Sequence, residues 1–161
     1  MSSQKRARNR GRSRGQALVE FSLVIPVFLM ILFGILDFGF ALYSRLTLIN
    51  ATREGAHVAV TQVDNAQGIP FMVEATIQAN ATGLVFARCT GSLPGTRTCG
   101  DVTITTTCVR PSGSCNFSGA MGTLLPGDSV HVTTTYVYHS FFGRFLGQAP
   151  LFGTNVTMVV E

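Results

Sequence analysis

Residues 14–43 read RGQALVEFSLVIPVFLMILFGILDFGFALY, and this stretch decides how the chain is organised. Its sixteen residues from Phe21 to Leu36 contain no charged side chain, and Glu20 and Asp37 flank them. About twenty apolar residues in a helix cross the hydrocarbon core of a bilayer, which is roughly 30 Å thick. The sequence offers no second long apolar helix that could cover this one in a soluble core. The stretch therefore predicts one membrane-spanning helix.

The positive charges are concentrated at the N-terminus. Six of the twelve Lys and Arg residues lie among the first fourteen residues, where there is no Asp or Glu, and the remaining residues carry a net charge of −2. Lys and Arg are retained on the cytoplasmic side of a membrane. We therefore expect a single-pass protein with its N-terminus inside and everything after about Tyr43 outside. The basic tail contains no aromatic residue, so it does not favour nucleic-acid binding.

A cleaved secretory signal peptide is the main alternative to a membrane anchor, because it also combines a basic start with an apolar core. The apolar stretch is longer than a simple signal core. Residues Phe40–Leu46 also lack a clean small-x-small cleavage site. We therefore expect the helix to remain on the mature protein.

The junction between tail and helix, from Arg14 to Phe21, carries a more specific signal. It resembles the class III leader of type IV pilin-like proteins, which a prepilin peptidase cuts after a Gly on the cytoplasmic face. Cleavage after Gly15 would make Gln16 the first residue, and Glu20 would lie one turn away on the same helix face. The structural alternative is that Gly15 merely ends a disordered arm and Glu20 is an interfacial helix residue.

Residues 14–60 resemble the N-terminal region of the TadE/TadG-like family, whose members are minor pseudopilins of tight-adherence pilus systems. The matching elements are Arg14-Gly15, Glu20-Phe21, Pro26, the Gly34/Asp37/Gly39 pattern and Ala51-Thr52-Arg53-Glu54-Gly55-Ala56. Thr52 and His57 depart mildly from the family's usual Ala-Ala-Arg-Glu-Gly-Ala-Arg run. The resemblance implies a processed, non-enzymatic pseudopilin of the bacterial inner membrane, with Glu20 and Phe21 taking part in assembly. Its implied partners are the membrane, a prepilin peptidase and other pilus-assembly proteins.

The pattern divides the chain into a basic cytoplasmic leader (1–15), a transmembrane helix (16–43) and an extracytoplasmic α+β domain (44–161). Helical spacing continues past the membrane to about residue 63, and a short second helix is expected at Phe71–Ala81. From about residue 84 the composition favours strands. The predicted strands are Leu84–Arg88, Val102–Val109, Ser129–Tyr138 and Thr154–Val160. These elements predict a pilin-like α+β fold, in which the long helix packs on a small antiparallel sheet.

Four cysteines, Cys89, Cys99, Cys108 and Cys115, all follow the predicted membrane helix. An even number of cysteines in an oxidising compartment favours two disulfides. Four cysteines allow three connectivities, of which pairing between neighbours closes the shortest loops. Zinc is the alternative, but the spacing lacks the closely spaced Cys pairs of zinc sites. The sequence therefore predicts disulfides and no metal.

Two other functions stay open on the sequence. A membrane-tethered binding or adhesive module outside any pilus would have the same topology, but it would need neither Glu20 nor a peptidase. An anchored enzyme would need a catalytic constellation, and we find none in the sequence. We therefore expect no enzymatic activity, no cofactor and no small-molecule substrate.

Overall fold

The computed structural model describes residues 10–61, 68–91, 95–111, 113, 115, 124–141, 143 and 151–160. Their secondary structure is α1 (Arg10–Thr61), α2 (Ile69–Asn80), β1 (Thr96–Cys99), β2 (Val102–Val109), β3 (Ser129–Val137) and β4 (Leu151–Val159). A long N-terminal helix with a small antiparallel sheet confirms the predicted α+β class. The leader residues 1–9 and the predicted helix end near Val63 lie outside the described residues.

The first of two compact units, Met1–Gly39, contains the apolar part of α1. The helix begins at Arg10 rather than at the predicted Gln16, because Gly15 lowers helix propensity without ending a helix. Pro26 removes one N–H from the helical ladder, and the helix nevertheless continues through it. Among the described residues, α1 is the one helix long and apolar enough to cross a membrane, and its most apolar window is not buried.

The second unit, Phe40–Glu161, contains the rest of α1 and all other elements. Its two helices approach closely at Gly55, which is buried. A Cβ at Gly55 would lie 2.7 Å from the Ile77 Cγ1 and 3.3 Å from the Val73 carbonyl oxygen. Only Gly fits this crossing without a shift of α2. The helix α2 starts at Ile69 with Pro70 in its first turn, a position where the missing N–H costs nothing.

The four strands form a meander in which each strand pairs antiparallel with the next. Cys99 pairs with Val102 across the first turn, Val102 pairs with Tyr136, and Tyr136 pairs with Phe152. Gly100 occupies that first turn with a φ of 67°, a left-handed conformation that favours Gly. The turn between β1 and β2 is two residues long, whereas longer connections join β2 to β3 and β3 to β4.

Alternate side chains of the sheet point into a shared core with α1 and α2. The fully or nearly buried ones are Val102, Ile104, Thr106, Val130, Val132, Thr134 and Tyr136. On the opposite side lies a polar surface, here called the threonine face, formed by Thr96, Thr98, Thr103, Thr105, Thr107, His131, Thr133, Thr135, Asn155 and Thr157. Its cross-strand neighbours hydrogen-bond to each other; the Thr96 and Thr105 Oγ1 atoms, for example, are 2.9 Å apart. Side-chain pairs of this kind add to the stability of the sheet.

One strand prediction was wrong, and one strand was missed. Leu84–Arg88 is a loop: its alternation arises because Leu84 is buried and Phe86 is half-buried against the core, without ladder pairing. The strand β1 was not predicted, because four residues in a Gly- and Ser-rich region carry too little pattern. The predicted strands at Val102–Val109 and Ser129–Tyr138 match β2 and β3 closely, and β4 begins three residues before the predicted Thr154.

Candidate functional site

The leader junction, defined as Gly15–Phe21, lies on α1 in the first unit and is exposed throughout. Gln16 Nε2 donates a hydrogen bond to Glu20 Oε1 at 3.3 Å, one helical turn away. Side chains in a helix lean toward its N-terminus, so Glu20 leans back toward residue 16. The carboxylate therefore lies beside the residue that would carry a new α-ammonium group if the chain were cut after Gly15.

Gly15 has open space around it. A Cβ at this position would meet no atom within 4 Å, so a side chain here would disturb no described contact. Gly in a helix interior costs about 1 kcal/mol relative to Ala. The helix is therefore easier to unwind at Gly15 than at its neighbours.

Phe21 is 63 % exposed and belongs to the apolar surface of the first unit. Leu18 and Leu23 beside it are exposed to a similar degree. Such a surface is suited to lipid or to an apolar helix of another protein.

The second part of the family resemblance, Ala51–Ala56, has a packing role. Ala51, Thr52 and Ala56 are completely buried, and Gly55 is the contact point for α2. The two charged residues between them, Arg53 and Glu54, are exposed. This run is therefore the face by which α1 enters the core of the second unit.

One disulfide fastens the segment after α2 to β1, and side chains of α2 lie beside it. Cys89 and Cys99 are bonded, with Cα atoms 4.0 Å apart. Beside them, Arg97 Nε lies 2.7 Å from Glu74 Oε2, and Arg97 Nη2 donates to Glu74 Oε1 at 3.4 Å. Gln78 Nε2 donates to Cys89 Sγ at 3.0 Å. We call these five residues the Glu74 cluster; it combines a covalent link with an ion pair that is largely buried.

A second group, the Asp128 cluster, also combines a disulfide with an Arg–carboxylate ion pair and lies at the other end of β2; its members are Cys108, Arg110, Cys115 and Asp128. Cys108 and Cys115 are bonded, with Cα atoms 5.6 Å apart. Arg110 donates from Nε to Asp128 Oδ1 at 2.8 Å and from Nη2 to Oδ2 at 2.7 Å. The hydrogen bond from Arg110, helped by the Leu125 backbone N–H, lowers the pKa of Asp128 to about 2, although burial opposes the shift. The cluster pins the turn before β3 to the end of β2.

Both clusters bring two sulfur atoms and one carboxylate oxygen within 4.8 Å of one another, which is a spacing that could suit a metal ion. Zinc binds cysteine as the thiolate. In each cluster the two sulfur atoms are bonded to each other and an Arg binds the carboxylate. The arrangement therefore fits two structural cross-links better than a metal centre.

The ion pairs of these clusters were not predicted from the sequence. The sequence does contain a hint of the Arg in each ion pair. Arg97 lies two residues before Cys99, and Arg110 lies two residues after Cys108. Residues two apart share one face of a strand. The spacing therefore places each Arg beside a disulfide, whereas the carboxylate partners are too distant along the chain to identify.

These features define an α+β protein with one candidate membrane span and a disulfide-linked second unit. Residues 15–57 match the family model described as TadE-like protein. This match confirms the predicted resemblance to the TadE/TadG-like family over about a quarter of the chain. The match begins at Gly15 and extends one residue beyond the Ala51–Ala56 run. Comparisons with curated proteins and with solved structures give no match.

Proposed function

We propose that this protein is a minor pseudopilin of a tight-adherence pilus system and has no catalytic activity of its own. Residues 1–15 are a leader that a prepilin peptidase removes, residues 16–43 hold the chain in the bacterial inner membrane, and residues 44–161 lie outside. The observation that carries the proposal is the contact between Gln16 and Glu20 at the start of the TadE-like match. It supports a role for Glu20 as the partner of a new N-terminus.

Electrostatics explains why such a partner is needed. An Asp or Lys at the centre of a membrane helix costs about 2.5–3.5 kcal/mol on insertion scales, and the cost falls toward the interface or when the charge is paired. The ammonium created at Gln16 can neutralise Glu20 within one chain. In a fibre, the ammonium of one subunit can instead pair with Glu20 of its neighbour, which fixes the axial offset between them.

Processing is tested by mass spectrometry of the protein extracted from membranes. The N-terminal peptide is expected to begin at Gln16 in cells that contain a prepilin peptidase and at the original N-terminus in cells that lack it. Gly15→Leu should block cleavage, because the leader Gly is the recognised residue. The same change four residues earlier, Gly11→Leu, is the matched control and should be processed normally.

Assembly is tested separately with Glu20→Gln, which keeps the shape of the side chain and removes its charge. We expect normal cleavage and membrane insertion but loss of the protein from sheared fibres, or loss of the fibres themselves. Glu54→Gln, an exposed change on the same helix, should leave both intact. An uncut chain, or fibres indifferent to Glu20→Gln, would favour a membrane-tethered binding module outside the pilus.

A further inference from the structure

The folded core of the second unit begins inside the segment that we assign to the membrane. That segment ends at Tyr43. Ala41 is already half-buried against the core, and Ser44 is 7 % exposed. No spacer therefore separates the end of the membrane segment from the folded unit.

The chain after α2 reaches the same point of α1. The Tyr43 hydroxyl donates to the carbonyl oxygen of Thr82 at 3.4 Å. Gly83 has a φ of 86°, and a Cβ there would lie 3.3 Å from Tyr43 Cε1, so this close approach requires Gly. Residues 82–86, here called the 82–86 loop, therefore lie next to the last residue of the membrane segment.

The 82–86 loop turns an apolar side chain away from the protein. Leu84 is buried and Phe86 is half-buried against the core, whereas Val85 between them is 67 % exposed. On the neighbouring part of α1, Leu46 is 60 % exposed. The second unit therefore has two exposed apolar side chains, Val85 and Leu46, close to Tyr43 along the chain or through the 82–86 loop.

We propose that the 82–86 loop rests on the phospholipid headgroup layer of the membrane that holds α1, with Val85 in the interface. This inference depends on the proposed membrane anchoring of α1. The headgroup region is about 5–8 Å thick on each side of the hydrocarbon core. Two residues of extended chain span at most about 7 Å, so Val85 lies within this layer or at its outer edge if Gly83 is at its base.

An exposed charge on α1, close to the end of the membrane segment, suits lipid phosphates. Arg45 is exposed and lies two residues beyond Tyr43, about 3 Å further along the helix. The nearest acid in the β1–β2 turn, Asp101, is paired with His139, whose Nε2 lies 3.1 Å from its Oδ1. A cation at the membrane surface is attracted to anionic headgroups. Continuity with the membrane segment and this charge both indicate lipid as the occupant.

The chain contains no Trp, so a single introduced Trp reports its own surroundings without background. Three full-length variants are reconstituted at low protein density in phospholipid vesicles whose headgroups carry a nitroxide quencher. Val85→Trp tests the inference. Tyr43→Trp tests membrane anchoring. Val109→Trp, at an equally exposed apolar site at the opposite end of β2, sets the background.

We expect Val85→Trp to lose nearly as much emission as Tyr43→Trp and clearly more than Val109→Trp. If Tyr43→Trp is quenched but Val85→Trp is quenched no more than Val109→Trp, the inference is wrong and the proposed anchoring stands. If all three variants are quenched only to the level of Val109→Trp, both the inference and the proposed membrane anchoring are wrong. If Val85→Trp is protected from aqueous acrylamide without nitroxide quenching, a protein covers the loop, and the inference is wrong.

The role of Arg45 is tested in the Val85→Trp background by raising the fraction of anionic lipid. Quenching at residue 85 should increase with anionic lipid, and Arg45→Gln should abolish that increase. Arg53→Gln, which removes an exposed charge two turns further along α1, should keep it. An increase unaffected by Arg45→Gln would remove Arg45 from the lipid contact.

Discussion

Thr134 on β3 donates a hydrogen bond to Thr52 on α1, and the two Oγ1 atoms lie 2.5 Å apart. The direction follows from proton count: Thr52 gives its own hydroxyl proton to the Leu48 carbonyl oxygen at 2.7 Å, and a hydroxyl has only one. Both Thr side chains are completely buried. The sequence suggested Thr52 as a mild departure from the pattern of the family it resembles, and in this chain the sheet offers its hydroxyl a partner.

Removing one hydroxyl of this pair should lower the free energy of unfolding by more than half of what the pair contributes, because the other hydroxyl stays buried. Thr52→Val leaves the Thr134 hydroxyl buried without its acceptor, and we expect a loss of about 1–3 kcal/mol in the free energy of unfolding. The double variant Thr52→Val/Thr134→Val leaves no hydroxyl in need of a partner and should lose less than the sum of the single changes. Urea unfolding of the full chain in detergent, followed by circular dichroism, measures both. Strict additivity would contradict the pairing.

Gly55→Ala should destabilise the second unit. The added methyl would meet the fully buried Ile77, and overpacking of this kind costs about 1–3 kcal/mol, which outweighs the gain of about 1 kcal/mol in helix propensity. Gly39→Ala is the matched control on the same helix, because its Cβ would meet nothing within 4 Å. Thermal unfolding in detergent should show a lower Tm for Gly55→Ala and no decrease for Gly39→Ala.

The free energy of unfolding should fall in acid because Asp128 becomes protonated there. Its folded pKa of about 2 is below the ordinary value of 3.8, so its contribution is complete above about pH 4 and fades as the pH falls toward 2. Asp128→Asn should lower stability at neutral pH and remove this part of the acid dependence. Urea unfolding at several pH values tests whether the gap between the two proteins closes toward pH 2.

Arg110→Gln provides the check on cause, because the Arg110 hydrogen bond contributes most to the lowered pKa of Asp128. It should also reduce stability at neutral pH and flatten the dependence between pH 4 and pH 2. If the difference in free energy of unfolding between each variant and the unchanged protein stays constant in acid, the ion pair does not set the pKa of Asp128.

Each disulfide should stabilise the second unit. The cross-links span sequence separations of 10 and 7 residues, for which restriction of the unfolded chain predicts about 2.5 kcal/mol each. Replacing both cysteines of one pair with Ser should lower the free energy of unfolding by about this amount. Peptide mapping without reductant should recover Cys89 with Cys99 and Cys108 with Cys115. Crossed pairs would contradict the structure.

The local sequence pattern was sufficient to predict the elements in which the pattern repeats over many residues. The apolar run and the helical spacing beyond it predicted α1, and alternation of β-branched residues predicted β2 and β3. The same rule failed at residues 84–88, because a loop that packs every second side chain on a core produces the alternation of a strand. It also failed at Thr96–Cys99, where pairing with β2, not local preference, makes the strand.

The contacts that join distant parts of the chain could not be predicted. Thr52 was visible only as a mild departure from a family pattern, because its partner lies 82 residues further along the chain. The carboxylate partners of Arg97 and Arg110 were hidden for the same reason. At the leader junction the residues are four apart, and there the sequence alone predicted which side chains share a helix face.

The threonine face is almost free of ionisable side chains, and this affects how it can be recognised. Hydroxyl and amide groups carry no charge at any pH that a bacterium meets, and among the side chains that define this face only His131 can become charged. Dissolved salt screens charges and has little effect on neutral dipoles. A partner that binds this face therefore meets nearly the same surface at low and at high salt, and it must recognise the face by shape and hydrogen bonding.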